Sequence, residues 1–280
     1  MTREELRRLF ESLGLRSNHL VVHTSLSSLG RVVDGGARTV CEALIDTVSD
    51  GGTIVMPAFT HTETVRDPVP NAAVSTLPHG RLIAYHADLP VSRDLGVTAE
   101  TFRHLPGVLR SNHPTHSFAA WGRQAREVLS TQRDNNPLGP LKKLNVMQGQ
   151  VLLLGTGLNA AAAIYLAEER AAVPYLGRKT AVRINAGGYE ERVVVENFPG
   201  CSSAFTRMEA HLDPAKIRTV ALAGGTARKL PVRYLVNLAS QLLEADPRIF
   251  VCDQPECASC AGKRDALVTP APRDGVRHAN

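Results

Sequence analysis

The stretch HLVVHTSLSSLG, residues 19–30, joins an apolar segment to a loop of small polar residues. Its first part, His19–His23, has an apolar centre and predicts a short buried strand. The loop continues to Gly36, and Val40–Val48 then has the apolar spacing of a helix. A second strand is predicted at Thr53–Met56, where a proline follows. This succession of strand, loop, helix and strand is typical of α/β proteins.

The segments on either side extend this pattern. Near the N-terminus, Thr2 and Glu5 have the spacing of a capping box that begins a helix. The predicted strand Val151–Leu154 leads into a predicted helix from Asn159 to Ala171, with Asn159 as its N-cap. Later elements are predicted from turn residues and apolar spacing: a hairpin around Gly187-Gly188, a helix at Leu235–Leu243 and a last strand at Ile249–Val251.

The composition is that of a folded protein, with 280 residues of which 43% are hydrophobic and 21% charged. We expect a single domain over residues 1–268 and a disordered tail over residues 269–280. The formal net charge of +5 suits an anionic ligand, but the Lys and Arg residues are scattered, so no nucleic-acid partner is expected.

The chain carries no pattern typical of membranes or of secretion. No apolar run approaches the roughly 20 residues of a membrane span, and the charged N-terminus does not have the pattern of a signal peptide. We therefore expect a cytoplasmic protein with no membrane partner, whose five cysteines stay reduced.

The loop after the first strand is a candidate site for a phosphate-bearing ligand. Its serines and glycines allow backbone N–H groups to approach a phosphate, and the positive N-terminal end of the next helix adds to the attraction. The spacing of neither a P-loop nor a dinucleotide fingerprint is present. The alternative interpretation is a plain connecting loop.

Two further segments carry side chains suited to proton transfer. In RSNHPTHS, residues 110–117, His113 and His116 are candidates for a general base and an anion contact, or they satisfy backbone groups of an irregular loop. Tyr165 and Glu168 are three residues apart on the predicted helix and therefore share a face. A carboxylate on a mainly apolar helix needs a partner or a task, unless Glu168 is simply solvated.

The cysteines near the C-terminus form a C-x4-C-x2-C pattern. Cys252, Cys257 and Cys260 predict a structural zinc site, because two thiolates two residues apart can reach one metal ion. No fourth ligand is obvious from the sequence, and inert thiols are the alternative. Cys201 is a candidate nucleophile, although no neighbouring base is visible.

Taken in order, several segments resemble the aminoglycoside 3-N-acetyltransferase family. The resemblance extends from about Leu20 to Cys252. It is carried by HTSLSSLG at residues 23–30, TIVMPAFT at 53–60, LGVTAETFR at 95–103, PGVLRSNHPTHS at 106–117, NPLGPL at 136–141, VLLLGTGLN at 151–159 and LAEERA at 166–171.

The resemblance implies a three-layer α/β/α fold with a central mixed sheet. It also implies acetyl-CoA as the acyl donor and a primary amine of a small molecule, such as an aminoglycoside or an antibiotic precursor, as the acceptor. The serine-rich loop of the family contacts CoA, which corresponds here to Ser25, Leu26, Ser27, Ser28 and Gly30. In the family's His-x-x-Glu motif, Glu168 matches the glutamate and Tyr165 stands in place of the histidine. His113 matches the histidine of the family's Ser-x-His-Pro motif.

The tyrosine matters because acyl transfer needs a neutral amine, so a base must take a proton near neutral pH. A histidine with a pKa of about 6.5 suits that task, whereas a tyrosine with a pKa of about 10 does not. One interpretation is that another group, Glu168, His113 or His116, supplies the base. In a second, the acceptor amine is already neutral and Tyr165 orients it or donates to the oxyanion. In a third, the protein binds ligand or runs another chemistry without acetyl transfer.

A cationic acceptor would also need an acidic contact. The loop residues Glu63, Asp67 and Asp88 are candidates, with solvated carboxylates as the alternative.

Overall fold

A computed structural model describes residues 1–49, 51–60, 65–66, 83–198 and 200–268. The strands within these ranges are β1 His19–Thr24, β2 Thr53–Pro57, β3 Val65–Arg66, β4 Leu109–Arg110, β5 Phe118–Gly122, β6 Gln150–Leu154, β7 Gly177–Ile184, β8 Glu190–Phe198, β9 Arg218–Leu222 and β10 Gly225–Pro231. The α-helices are α1 Arg3–Ser12, α2 Gly36–Val48, α3 Gly96–Arg103, α4 Ala125–Leu129, α5 Gly139–Val146, α6 Tyr165–Arg170, α7 Val232–Ala245 and α8 Ala258–Val268.

A seven-stranded mixed sheet forms the centre, in the order β4-β5-β2-β1-β6-β10-β9. The middle strand β1 runs parallel to both β2 and β6, while β5 and β10 are antiparallel to their neighbours. The strands β3, β7 and β8 form a separate antiparallel sheet. The three adjacent parallel strands end at the same edge of the central sheet, which is where ligands bind in α/β proteins.

Alternate residues of the central strands enter two different cores. Leu20 and Val22 of β1 pack with α1, α2 and α3 on one face, whereas Val21 packs with α4, α5, α6 and α7 on the other. The same alternation separates Leu152 from Leu153 in β6. Side chains of a strand point to opposite faces in turn, so an apolar strand must be covered on both sides. This arrangement confirms the predicted three-layer α/β/α fold with a central mixed sheet.

Several predicted elements are confirmed in type and position. Thr2 and Glu5 make both hydrogen bonds of a capping box at the start of α1. The predicted strands and helices around residues 19–23, 40–48, 53–56, 151–154 and 235–243 correspond to β1, α2, β2, β6 and α7. The hairpin predicted around Gly187-Gly188 is formed by β7 and β8.

Two predicted elements are wrong. The segment from Asn159 to Ala171 is not one helix: two 3₁₀ turns, Leu158–Ala160 and Ala162–Ile164, precede the short α6. Ala161 lies between the turns with ψ of 84°, outside the helical region, so Asn159 belongs to the first turn and does not cap a helix.

The strand predicted at Ile249–Val251 is also wrong, because the chain makes a turn there. The strands of this part of the chain are β9 and β10, which pair as a hairpin beside β6. Of the helices that the structure describes, none has both the length and the apolar character of a membrane span. The tail predicted over residues 269–280 lies outside the described residues.

Candidate active site

A cavity of about 1110 Å³ opens at the carboxyl ends of the parallel strands β1, β2 and β6. Thr24 at the end of β1, Pro57 at the end of β2 and Thr156 just after β6 all line it. Its size matches the upper end of ligand clefts, which span roughly 300–1,000 Å³. The central sheet therefore places the cavity where the topology predicts a ligand site.

The serine-rich loop forms one wall of this cavity. Ser25, Leu26, Ser27 and Gly30 line it, whereas the Ser28 hydroxyl lies 2.8 Å from the Ser25 hydroxyl and braces the loop from within. The backbone N–H of Ser25 donates to the Leu154 carbonyl at 2.9 Å, so the loop is tied to the end of β6.

Gly30 fixes the far end of the loop. Its φ is +72°, and a Cβ there would lie 2.0 Å from the backbone nitrogen of Gly224 in the β9–β10 turn. Both the left-handed backbone and this close approach require a glycine.

Two helix N-termini and two arginine side chains give the cavity lining positive charge. Gly36 and Gly96, the first residues of α2 and α3, both line the cavity, and so do Arg31 and Arg93. Helix N-termini carry partial positive charge and unpaired N–H groups, and the guanidinium groups add full charges. Together they suit the phosphates of an anionic ligand.

Tyr165, the first residue of α6, also lines the cavity. Its hydroxyl donates a hydrogen bond to the Gly200 carbonyl at 2.7 Å, and its ring packs edge-on against Phe205 at 5.0 Å. Burial raises the pKa of the Tyr165 hydroxyl above its usual range, and the nearby carboxylate of Glu168 adds to this. Tyr165 is therefore protonated at neutral pH, as a hydrogen-bond donor and not as a base.

Two polar residues of the cavity escaped the sequence-based selection. Asp94 is the one carboxylate in the described part of the lining, and its charge contributes to the raised pKa of Tyr165. His23 lies at the end of β1, where burial lowers its pKa to about 3 and its Nε2 has no partner among the described residues. Asp94 could have been selected from the sequence, because it directly precedes LGVTAETFR, one of the segments that carry the family resemblance.

Glu168 occupies a different environment, although it is only one turn from Tyr165. Its carboxylate is fully buried, and Oε1 accepts hydrogen bonds from Lys263 Nζ at 2.6 Å and from the Tyr175 hydroxyl at 3.1 Å. Oε2 has no hydrogen-bond partner within the described part of the chain, and the side chain does not line the cavity. Burial raises the pKa of Glu168, while the ammonium group of Lys263 and the Tyr175 hydroxyl oppose the rise.

Tyr165 and Glu168 nevertheless face one loop, as their spacing predicts. Tyr165 reaches the carbonyl of Gly200 directly, and Lys263 joins Glu168 to the next carbonyl, that of Cys201, at 3.3 Å. The partner that a buried carboxylate requires is therefore Lys263, which lies 95 residues away in the sequence.

His113 lies in a second cavity of about 630 Å³, together with Arg126, Arg133 and Arg183. Its Nδ1 accepts hydrogen bonds from the backbone N–H groups of Thr115 and His116, which assigns the ring proton to Nε2. Burial and the charge of Arg183 lower the pKa of His113 to about 3. The structure therefore separates His113 from the cavity that Tyr165 lines.

The other predicted residues of the loops are placed as follows. His116 Nδ1 lies 2.8 Å from the Thr115 hydroxyl. Glu63 and Asp67 lie outside the described residues, and Asp88 is exposed and lines neither cavity.

Four cysteines lie close together beside Gly200, which directly precedes one of them. The sulfur atoms of Cys201, Cys252, Cys257 and Cys260 all lie within 4.8 Å of one another. Although burial opposes it, hydrogen bonds from Ser203 and from the neighbouring thiols lower the pKa of Cys201 to about 7. Cys41, the remaining cysteine, is buried in α2, and burial raises the pKa of its thiol to about 12.

The fold and this cavity define a class of protein: an α/β protein with a cavity outside its parallel strand ends whose lining suits an anionic ligand. The family model described as aminoglycoside 3-N-acetyltransferase matches residues 21–244. The chain belongs to this family of acyltransferases.

Two curated relatives support the assignment. Over 184 residues the chain is 38% identical to the SPbeta prophage-derived aminoglycoside N(3')-acetyltransferase-like protein YokD of Bacillus subtilis (strain 168), covering 62% of this chain and 66% of YokD. Over 236 residues it is 32% identical to aminoglycoside N(3)-acetyltransferase IV of Salmonella sp, covering 83% of each chain.

Solved structures agree with these sequence relatives. The apoenzyme of aminoglycoside acetyltransferase AAC(3)-IVa superposes with a TM-score of 0.77 at 30% identity, covering 95% of this chain and 97% of that one. The binary complex of AAC-IIIb with CoASH has a TM-score of 0.74 at 25% identity, covering 88% of this chain and 97% of that one.

Proposed function

We propose that this protein transfers an acetyl group from acetyl-CoA to a primary amine of an aminoglycoside-like small molecule. The observation that carries the proposal is a single cavity in which the serine-rich loop, two helix N-termini and Tyr165 meet. The names of the curated relatives, and the CoA complex of a structural neighbour, support both substrates. Free thiols at all five cysteines fit a cytoplasmic location, which we also propose.

CoA would bind along Ser25, Leu26, Ser27, Ser28 and Gly30. The phosphates would approach the N-termini of α2 and α3, where Arg31 and Arg93 add charge. The thioester end would lie near Tyr165, because the tyrosine lines the same cavity.

The amine would bind beside Tyr165, with Asp94 as the contact for its positive charge. The deprotonated nitrogen attacks the thioester carbonyl carbon, an N–C bond forms, the C–S bond breaks, and the CoA sulfur leaves and takes up a proton. Tyr165 orients the amine or donates a hydrogen bond to the developing oxyanion.

We propose Glu168 as the base, and the support is that its Oε2 has no hydrogen-bond partner among the described residues and can accept a proton. His113 is the second candidate because it matches the histidine of the family's Ser-x-His-Pro motif, and it would accept the proton only in the tautomer that frees Nε2. Neither side chain lines the cavity that holds Tyr165, and the variants Glu168→Gln and His113→Ala decide between them.

A thiol-release assay with acetyl-CoA and a panel of aminoglycosides tests this function. We expect release of CoA thiol that requires both substrates, together with binding of acetyl-CoA by calorimetry. A protein that binds no CoA species would contradict the enzymatic proposal.

One observation favours a second candidate function, a protein that binds ligand without acetyl transfer. By the resemblance, Tyr165 stands in the place of the family's catalytic histidine, and a tyrosine with a raised pKa cannot serve as a base near neutral pH. Binding of acetyl-CoA with no thiol release across the amine panel would favour this alternative.

We also propose a structural zinc ion at Cys252, Cys257 and Cys260. The convergence of their sulfur atoms supports it, and metal analysis of the purified protein is the test.

A further inference from the structure

The cysteine cluster contains one more thiol than the C-x4-C-x2-C pattern supplies. Cys201 stands just before the 3₁₀ segment Ser203–His211, and its sulfur atom lies within 4.8 Å of those of Cys252, Cys257 and Cys260. A regular tetrahedron with Zn–S bonds of about 2.3 Å needs sulfur atoms about 3.8 Å apart. Small side-chain rotations would bring four thiolates to that spacing.

The surroundings of the sulfur atoms suit bound thiolates. The backbone N–H of Ser203 donates to Cys201 Sγ at 3.4 Å, and that of Cys252 donates to Cys260 Sγ at 3.3 Å. Such N–H donors stabilise the negative charge of metal-bound sulfur and fix the ligand orientation.

The apolar core around the four cysteines contains few buried residues. Its buried members are Ala204, Val251, Cys252 and Cys260, so two of the four are the candidate ligands themselves. Small cores of this kind are commonly completed by a structural metal, whose binding free energy becomes folding free energy.

Helix α8 connects the cluster to the candidate active site. It carries Cys260 in its first turn and, three and four residues later, Lys263 and Arg264. Lys263 donates to the Cys201 carbonyl and to Glu168, and Arg264 donates to the Cys252 carbonyl at 3.2 Å. The Gly200 carbonyl, which accepts from Tyr165, immediately precedes Cys201.

We propose that Cys201, Cys252, Cys257 and Cys260 bind one zinc ion, with Cys201 as the fourth ligand. The ion ties the Gly200 loop to α8, and thereby holds Lys263 against Glu168 and the Gly200 carbonyl against Tyr165. The site is a positioning device for the proposed acetyl transfer, so its catalytic consequence rests on that function. Four thiolates in tetrahedral geometry favour zinc or an iron–sulfur cluster, and four protein thiolates that close around a single ion are typical of a structural zinc site.

Metal analysis of the full-length protein tests the ligand set. We expect about one zinc per chain in the wild type, and less than about 0.2 in Cys201→Ser. Cys41→Ser is the matched control, because Cys41 is buried in α2 and lies outside the cluster, and it should retain the full complement.

Three outcomes would overturn the proposal. They are a wild-type protein that takes up no zinc from a zinc solution, a Cys201→Ser variant that keeps wild-type zinc content, and visible absorption with bound iron in place of zinc. If Cys201→Ser does not fold, a competition titration of the wild type with a chromogenic zinc chelator decides: one tightly held zinc supports the site and none contradicts it.

Hydrogen exchange and kinetics test the link to the active site. Removal of zinc should increase amide exchange in residues 200–203 and in α8, with no change in β1. It should lower kcat at least ~10-fold while the KM for acetyl-CoA stays within about threefold, because the serine-rich loop belongs to other elements. Unchanged exchange at α8 would contradict the linkage.

The two proposals fail in different ways. A zinc-loaded protein that releases no CoA would contradict the acetyl transfer and leave the metal site standing. An active enzyme that never holds zinc would contradict the metal site alone.

Discussion

Tyr165 and Glu168 lie one turn apart on α6, but their surroundings differ in the exposure of charged side chains. Charged residues line the open cavity beside Tyr165, whereas those beside Glu168 are buried. On the Tyr165 side, the cavity keeps Arg31, Arg93 and Asp94 at its lining, where a ligand can reach them. On the Glu168 side, the carboxylate and Lys263 are sealed from solvent, with 0% and 4% of their side chains exposed.

The difference shows how two residues of one helix turn can lie in unlike electrostatic environments. A charge at a cavity wall is hydrated and is available to a ligand, whereas a buried charge depends on each of its partners. Glu168 is therefore linked to the cavity through α6 and the Gly200 loop, and its proposed role as the base requires Oε2 to become accessible during turnover. The predictions below test this contrast.

The largest effect is expected from Lys263→Ala. It leaves the Glu168 carboxylate buried without its cation, which should lower the free energy of unfolding by about 3–5 kcal/mol. Urea denaturation measures it. The control is Lys142→Ala, because the Lys142–Glu169 pair has the same 2.6 Å separation but is 42% and 22% exposed, and its loss should cost only about 0–1 kcal/mol. If the two variants lost the same free energy of unfolding, the expected difference between the buried and the exposed ion pair would be contradicted.

Glu168→Gln should lower kcat at least ~100-fold, the scale of a positioned acid or base. The thiol-release assay on folded protein measures it. The double variant Glu168→Gln/Lys263→Met separates the roles: it should regain stability but not kcat if Glu168 takes part in transfer. Near wild-type kcat in Glu168→Gln, with loss of activity in His113→Ala, would move the base to His113.

Gly30→Ala tests the cavity wall. The new Cβ would meet the Gly224 backbone at 2.0 Å, so the serine-rich loop must shift, which should cost ~1–3 kcal/mol of stability and weaken acetyl-CoA binding about tenfold. Gly188→Ala is the control, since its φ is +80° but nothing lies within 4 Å of its Cβ. It should cost only about 1 kcal/mol, with unchanged acetyl-CoA affinity by calorimetry. Unchanged affinity in Gly30→Ala would place CoA elsewhere.

Tyr165→His should raise activity towards ordinary amines about tenfold at pH 7.5, because a histidine with a pKa near 6.5 is then deprotonated and can act as the base. Its rate should fall as the pH drops through that value. Tyr165→Phe, which removes only the hydroxyl that donates to Gly200, should show no such gain. No gain in Tyr165→His would indicate that the chemistry of this scaffold has diverged further.

The smallest effect concerns Glu100, which supports the segment that carries Asp94. Although burial opposes it, hydrogen bonds from Arg103, the Val91 N–H and His104 lower the pKa of Glu100 from 4.5 to about 2. A lowered folded-state pKa stabilises the fold above pH 4.5, and this contribution is lost as the pH falls from 4.5 towards 2. The difference in Tm between wild type and Glu100→Gln should therefore shrink across this range. A difference that grows in acid would contradict the assignment.

Contiguous segments were predictable because their structure follows from local rules. The strand β1, the serine-rich loop and α2 follow one another in the chain, and periodicity and small residues identify each. The same holds for the capping box of α1 and for the β7–β8 hairpin. Where local signals were weak, sequence reasoning failed: the helix predicted from Asn159 is interrupted before α6, and the strands β9 and β10 were not predicted, since long-range pairing of β10 with β6 places that hairpin.

By itself the sequence determined the layered fold, the family and the loop that lines the cavity. Only the tertiary structure decided which distant residues meet: Lys263 with Glu168, Cys201 with the three later cysteines, and Asp94 with Tyr165. The physical reason is that periodicity and capping act over a few residues, whereas charge pairing and metal binding depend on distance in space. Chain folding sets that distance, and sequence separation does not.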